Sequence, residues 1–533
     1  MKAGHSSGGP NAVFARLHLV SKRIDWTVPV WLALVALAWL SIGNGSYALL
    51  SPYEARHAGI VHDMWAARQY AMPRVDGLPV LDGAPLYYWV SLGLLAVFGS
   101  GEWVLRLLSS LSAALMLGFM ANALSPWPFR LGRWTLAILF LLQPALIVVG
   151  RFASPDMFNI LLLTVAVGSF HRAGAGLEAG GWPAPWLISA WGATALLGLA
   201  AGPLAMLVPL LTVFLWLALR RRFDLAMALC RWPGSLAVVV SVLLWLWLVA
   251  PEQPGMVWYM VERAALAVLK HEGNDPGYPS CGLLVLAACL PLFSCLYRYR
   301  DPMRRKALHT SLAGLMAIWL LVLALLHPLV AMAPMGHAAI MVVPLLYFGV
   351  LALAPAAADR SWRDVFAWCL HTLLAVAVGL AGVFFHAQRV STMLPAIESV
   401  MSLYQPTTDK VILLDRYDYE LNFYMRSSKL VHVAADWAPG DNASMPAWKK
   451  ELLESARFAP DVAQRLLLTH EAFLERLCER RVVNLWVIGS EEAAAQHAIL
   501  SDLTEVVGAG KVRAWYLDAG TVPGQCPTPG PPG

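Results

Sequence analysis

Long apolar runs recur along this chain, and they constrain its fold more than any other feature. The first, Val28–Leu50, is longer than the apolar core of a signal peptide and is followed by no small-residue cleavage pattern. It therefore reads as a retained membrane span, with Met1–Pro10 as a tail. Further segments of spanning or near-spanning length start near Val104, Trp134, Met157, Trp186, Pro203, Ser235, Gly282, Leu312, Ala338 and Val365, giving about eleven spans. Charged residues make up only 14% of the 533 residues, against roughly 25% in an average soluble domain. The fold class expected is a polytopic α-helical membrane protein.

The basic residues orient it. Lys22, Arg23, Arg130, Arg133, Arg172, Arg220–Arg222, Arg231, the cluster Arg298, Arg300, Arg304, Arg305 and Lys306, and then Arg360 and Arg363 fall on one side if Pro85–Gly99 is an interfacial helix rather than a span. By the positive-inside rule that side is the cytoplasm, which leaves the N-terminus inside and the C-terminal region outside. The opposite side receives the loop 51–103, the turn Arg151–Asp156, the turn Ala200–Pro203, the loop 251–281 and the turn 327–337. The net charge of +5 fits orientation and anionic lipid rather than nucleic acid, since no Lys/Arg-rich arm is present.

The expected domains are a membrane domain over 1–386, a periplasmic α/β domain over 387–519, and a disordered Pro/Gly-rich tail over 520–533. Within the second, "KVILLD" and "VVNLWVIG" read as buried strands, "EEAAAQHAIL" as a helix and "KVRAWYL" as an edge strand. Of seven cysteines, five lie in or beside apolar runs and no CxxC or Cys/His cluster suggests zinc. Cys478 and Cys526 pair if their segment is extracytoplasmic, and are otherwise two free thiols.

The spans carry almost no ionisable residue near their centres, which argues against a transporter. Polar chemistry gathers instead in three outer stretches. In "SPYEARHAGI" Ser51, Pro52 and Glu54 fit N-cap, N1 and N3 of a helix, a capping box, while Arg56 beside a helix N-terminus suits a phosphate. In "PRVDGLPVLDGAPLYYWVSLGLLAVFG" Asp82 precedes Tyr87, Tyr88 and Trp89, either an aromatic belt or a platform for sugar or isoprenoid. In "GRFASPDMFNI" Arg151 and Asp156 flank a turn, with Asp156 a possible N-cap of the next span.

Together these stretches resemble the polyprenyl-phosphate-sugar-dependent glycosyltransferases of the C-type membrane fold, in particular the lipid A aminoarabinose transferases and the protein O-mannosyltransferases. "LLGLAAGPLAMLVPLL", the His271 loop, the His337 segment and "YDYELNFYMRSSKLVHV" follow in family order. The resemblance implies transfer of a sugar, aminoarabinose-like or other, from an undecaprenyl-phosphate carrier to lipid A or another envelope acceptor on the periplasmic face of a bacterial inner membrane. It implies a carboxylate acting as base on the acceptor hydroxyl, for which Glu54 and Asp156 are the candidates. Tyr53, Arg56, Tyr87, Tyr88, Arg151, Lys270 and His337 are the candidate substrate contacts. A divalent, zinc-like metal would lie between Asp82 and His271. Three departures stand against the family pattern: Tyr53 for Asp, Gly83 for Lys and Ala201 for Lys. They keep open a non-catalytic relative that binds a polyprenyl lipid or a partner protein.

Overall fold

The computed structural model describes residues 26–124, 130–249, 255–270, 311–358 (331 and 333 aside), 366, 370 and 394–526, apart from 406–407, 427–429, 439–444, 480–481 and 510–511. The expected spans starting near Gly282 and Val365 lie outside the described residues. The other expected starts fall in helices: α1 (Thr27–Ser41), α4 (Glu102–Phe119, continued by a π-helical turn to Leu124), α5 (Arg130–Leu141), α6 (Asp156–Glu178), α7 (Ala184–Ala201), α8 (Leu207–Leu219, entered through a 3-10 turn Pro203–Met206), α9 (Ser235–Val249), α11 (Ser311–Leu326) and α12 (Pro334–Ala358). Between these come α2 (Tyr53–Ala67), α3 (Pro85–Phe98) and α10 (Met256–Lys270).

Among the described residues, three helices are long and apolar enough to cross a membrane: Glu102–Leu124, Asp156–Glu178 and Ala184–Ala201. A fourth arises if Phe223–Cys230 and α9, bent by 55°, form one span. Others are shorter; α1, at 15 residues, covers about 22 Å of a roughly 30 Å hydrocarbon core. The helix α3, at 14 residues, is about as short as α1. The helices pack side by side: α4 lies between α1 and α6, α6 against α7, α8 against α11 and α5 against α12. Leu163, Phe170, Phe140 and Trp319 are buried at the centre.

The second unit is a six-stranded sheet of order β5-β4-β3-β6-β8-β7. Its strands are β3 (Asp409–Leu414), β4 (His432–Ala434), β5 (Leu467–Leu468), β6 (Asn484–Ser490), β7 (Thr504–Ala509) and β8 (Val512–Leu517), with β1 (Arg74–Val75) and β2 (Leu78–Pro79) forming a separate hairpin in the first loop. The strands β5, β4, β3 and β6 run parallel, while β8 and β7 are antiparallel. Parallel strands covered on both faces read as continuous apolar runs, hence the legibility of "KVILLD" and "VVNLWVIG".

Two expectations are corrected. "KVRAWYL" is not an edge strand, because β7 pairs along its far side and takes the edge. The stretch from Gly520, expected to be disordered, is held as far as Cys526: a Cys478–Cys526 disulfide ties it down, and the Gln525 backbone N–H donates to Asp502.

The sheet unit sits on the first loop. The Asp76 carboxylate, on the turn between β1 and β2, accepts from the Tyr417 hydroxyl (2.5 Å), the Asn422 amide (2.7 Å) and the Val431 backbone N–H (3.3 Å). Gly59 on α2 meets the backbone at Tyr419 so closely that a Cβ there would lie 2.5 Å from the Tyr419 carbonyl oxygen.

Candidate functional site

The opening of α2 differs from the expected capping box. The helix starts at Tyr53 after Pro52, with no side-chain cap, and Glu54 reaches back to the Leu50 N–H (2.9 Å) rather than to Ser51. The Glu54 side chain is fully buried. Its Oε1 accepts from Arg106 Nε (2.8 Å) and the Ala153 N–H (2.9 Å), and its Oε2 from Arg106 Nη2 (2.7 Å) and Leu50. Arg106, on α4, gives its remaining donors to the carbonyls of Asn44 (2.6 Å), Tyr47 (2.9 Å) and Ala48 (2.9 Å), and its guanidinium stacks on the Tyr47 ring. Five donors and four lone-pair positions are thus all used, the condition under which a buried ion pair is tolerated. The knot ties the 44–50 segment, α2, α4 and the 151–155 turn together.

Two residues on, Arg56 faces another way. Its Nε and Nη2 donate to Glu451 Oε1 (2.9 and 2.7 Å), and Nη2 also to Asp82 Oδ1 (2.6 Å). Tyr419 donates its hydroxyl to the other Glu451 oxygen, and Arg263 on α10 pairs with Glu454 at 3.0 Å. One guanidinium therefore serves two carboxylates, and the Asp82 side chain stays 45% exposed. Burial works to raise the Asp82 carboxyl, but the Arg56 and Arg263 guanidiniums outweigh it and hold it at about 2. His57 lies beside them, its Nδ1 3.1 Å from the Tyr88 hydroxyl. Burial, and then the Arg56 charge, hold its imidazole down at about 3, so it is neutral at pH 7.

Tyr87 and Tyr88 are buried, at 1% and 2% exposure, and pack edge to face on each other with ring centroids 5.3 Å apart. They form the wall behind His57 rather than an open platform. Burial raises both phenols above their ordinary range.

Asp156 is the first residue of α6, not its N-cap, which is Pro155. Its carboxylate is buried against the first turn of α12, where a Cβ on Gly336 would lie 2.5 Å from Oδ2. His337 follows directly, and its Nε2 lies 3.1 Å from the Val330 carbonyl. Arg151 donates to the Ile42 carbonyl (2.5 Å), and no carboxylate lies within ion-pair reach of it among the described residues. Tyr53 is half-buried at the start of α2. Lys270 ends α10, and His271 lies outside the described residues. Of the expected metal pair, Asp82 is engaged by a guanidinium, whose charge competes with a divalent ion for the same oxygen.

Sequence reasoning missed Arg106, Glu451 and Glu420. Arg106 carried a signal, as a cation within the otherwise apolar Glu102–Leu124 helix. Glu420 is buried in the loop that meets α2, and burial, followed by the Asp418 charge, pushes its carboxyl up to about 7, while its own backbone N–H, the Arg416 charge and the Ser51 hydroxyl partly offset this.

No family model matches the chain. The undecaprenyl phosphate-alpha-4-amino-4-deoxy-L-arabinose arabinosyl transferase of Edwardsiella ictaluri is 28% identical over 220 residues, 39% of this chain and 37% of that protein. The protein of the same name from Erwinia tasmaniensis is 27% identical over 262 residues, 46% of this chain and 44% of that protein. The second such transferase of Pseudomonas fluorescens is 28% identical over 252 residues, 44% and 42%. Each match thus spans less than half of the relative's length. Among solved structures, ArnT from Cupriavidus metallidurans aligns over 91% of this chain and 97% of its own at 18% identity, with TM-score 0.69 in the apo state and 0.70 bound to undecaprenyl phosphate. The chain resembles the undecaprenyl phosphate-aminoarabinose transferases over part of its length. It shares their C-type membrane fold, apolar helices with a sheet unit attached.

Proposed function

We propose that this relative of the aminoarabinose transferases is itself a glycosyltransferase. It moves a sugar from an undecaprenyl-phosphate carrier to lipid A or another envelope acceptor at the periplasmic face of the inner membrane. One observation carries the reading: the sequence likeness to three arabinosyl transferases falls on a chain whose fold follows nearly the whole of ArnT. The Cys478–Cys526 disulfide supports an extracytoplasmic sheet unit, and with it a cytoplasmic N-terminus.

Asp156 is the base in this proposal, a buried carboxylate on an outer turn next to the His337 segment. Glu54 is a positioning residue, since four donors occupy its oxygens. Arg151 faces the leaving phosphate, where a cation stabilises developing charge; Lys270, the last residue of α10, and Tyr53, the first of α2, are the further substrate contacts of this proposal. In membranes supplied with a labelled undecaprenyl-phosphate sugar, Asp156→Asn should lower transfer by roughly 10² to 10⁴ while leaving the thermal midpoint near that of the wild type. Undiminished transfer by Asp156→Asn would remove it from the role. Mass spectrometry of envelope lipids from cells with and without the gene names sugar and acceptor together.

A second reading, lipid or partner binding without catalysis, is favoured by the state of Arg56: two carboxylates hold the guanidinium that a phosphate would need. On that reading the purified protein retains polyprenyl lipid and turns over no donor, and Tyr53→Asp combined with Gly83→Lys creates activity.

A further inference from the structure

The sheet unit carries a second cluster of metal-ligating side chains, far along the chain from the first loop. Asp415 follows the last residue of β3, His470 opens the helix that follows β5, and His497 comes after the short helix that follows β6. Asp415 and His470 therefore sit just past the carboxyl ends of β3 and β5, and His497 closes the short helix that leaves the carboxyl end of β6. The strand order turns at this place: from β3 the chain proceeds outward to β4 and β5, then crosses back to lay β6 on the other side of β3. In open α/β sheets, ligands bind in the crevice at such a switch point.

The side chains converge. Asp415 Oδ1 lies 2.8 Å from His470 Nε2, and Asp415 Oδ2 lies 3.8 Å from His497 Nε2. One ligand atom from each falls within 4.8 Å of the others. The imidazole rings stand edge to face, 4.8 Å between centroids. Asp415 Oδ2 and His497 Nε2 are both shut off from solvent and have no hydrogen-bond partner among the described residues. A lone pair so placed costs free energy unless something receives it. Backbone constraints fix the positions: the Asp415 residue has φ +54° and its N–H donates to the Ala434 carbonyl at 2.8 Å, while Thr469 caps the His470 helix through the Ala472 N–H. The far end of that helix, Cys478, is locked by the disulfide to Cys526.

We infer that Asp415, His470 and His497 form a binding site for a divalent transition metal, zinc in the first instance, in the sheet unit. Two imidazole nitrogens and one carboxylate oxygen suit zinc. The ligand atoms need to move by about an ångström to reach bonds of about 2.0–2.2 Å. His470 is 34% exposed at its side chain, so water completes the coordination from that side. This site is independent of the proposed sugar transfer and of Asp82.

The test uses the full-length protein in detergent, stripped with a chelator and then titrated with zinc by calorimetry, with cobalt as a visible probe of the ligand set. The wild type should bind an equivalent of zinc that His497→Gln and Asp415→Asn both lose and Asp82→Asn keeps. The loss should exceed the roughly 10- to 100-fold that removal of an outer-shell partner costs. Zinc should also raise the thermal midpoint of the wild type and not of His497→Gln, since a ligand that binds only the folded state stabilises it. Equal zinc binding by wild type, His497→Gln and Asp415→Asn overturns the site, as does a folded wild type that binds none. If His497→Gln does not fold, His470→Gln, the most exposed of the three, carries the same comparison.

Discussion

Glu54 and Arg56 stand two residues apart on α2 and open onto two differently built charged regions. Around Glu54 every donor and acceptor is matched, both partners are wholly buried, and the group binds four pieces of backbone. Around Arg56 the match is uneven: one guanidinium, two carboxylates, and an Asp82 side chain 45% exposed. A closed and balanced ion pair holds the 44–50 segment and the 151–155 turn in place, whereas the open and unbalanced one keeps its guanidinium occupied by two carboxylates and carries an excess of negative charge. Their proximity in sequence therefore says little about a shared role.

The comparison breaks most forcefully at Arg106. Arg106→Ala leaves the Glu54 carboxylate buried without its partner, which should cost about 3–5 kcal/mol and show as a large drop in thermal midpoint with all function lost. If the midpoint hardly moves, the knot is not structural. Glu54→Gln should lower transfer and thermal stability together, where Asp156→Asn lowers transfer alone. Separate measurement of the two quantities tells a positioning carboxylate from a base.

On the Arg56 side, Glu451→Gln should leave folding nearly intact and tighten the binding of undecaprenyl phosphate several-fold, measured by calorimetry, because one competitor for the guanidinium is gone. Unchanged affinity would mean that Arg56 does not meet the lipid.

Acidity sharpens the contrast further. His57 is held at about 3 against an unfolded 6.5, so the unfolded chain binds the extra proton and stability falls as pH drops from 6.5 towards 3. Glu420, raised to about 7 from 4.5, acts oppositely: the folded chain holds the proton, and stability falls as pH rises from 4.5 to 7. Between 4.5 and 6.5 the two oppose each other. Thermal midpoints should therefore vary little there in the wild type, while Glu420→Gln should unmask a decline on acidification that His57→Gln lacks. Asp82, held at about 2, adds a further loss only as pH falls from 3.8 towards 2.

The smallest effect concerns Gly83. A Cβ there lies 3.0 Å from Val80 Cγ1 and 3.5 Å from the Tyr88 hydroxyl, so Gly83→Ala should cost about 1 kcal/mol by overpacking. No change in midpoint would show that Val80 yields freely and that a lysine fits.

What could be read from the residues followed the range of the forces involved. Apolar runs report burial locally, so the helices starting near Val28, Val104 and Met157 and the strands in "KVILLD" and "VVNLWVIG" were legible. "KVRAWYL" was misplaced at an edge because "TEVVGA", which covers it, is short and weakly patterned. The roles of Glu54 and Arg56 were not legible, since their partners Arg106 and Glu451 lie 52 and 395 residues away. No local pattern encodes such pairings. The Asp415, His470 and His497 cluster escaped for the same reason, its members being brought together only by the pairing of β5 and β4 on one side of β3 and of β6 on the other.

The grip of Tyr417, Asn422 and Val431 on Asp76 bears on how a bulky acceptor arrives. A cap hinged over the first loop would have to break three hydrogen bonds to a buried carboxylate each time it swung, and would also have to lift the Tyr419 backbone from Gly59. The sheet unit and the first loop instead travel as one piece. On the proposed sugar transfer, lipid and sugar would therefore reach the site from beside that piece, with no opening of the roof.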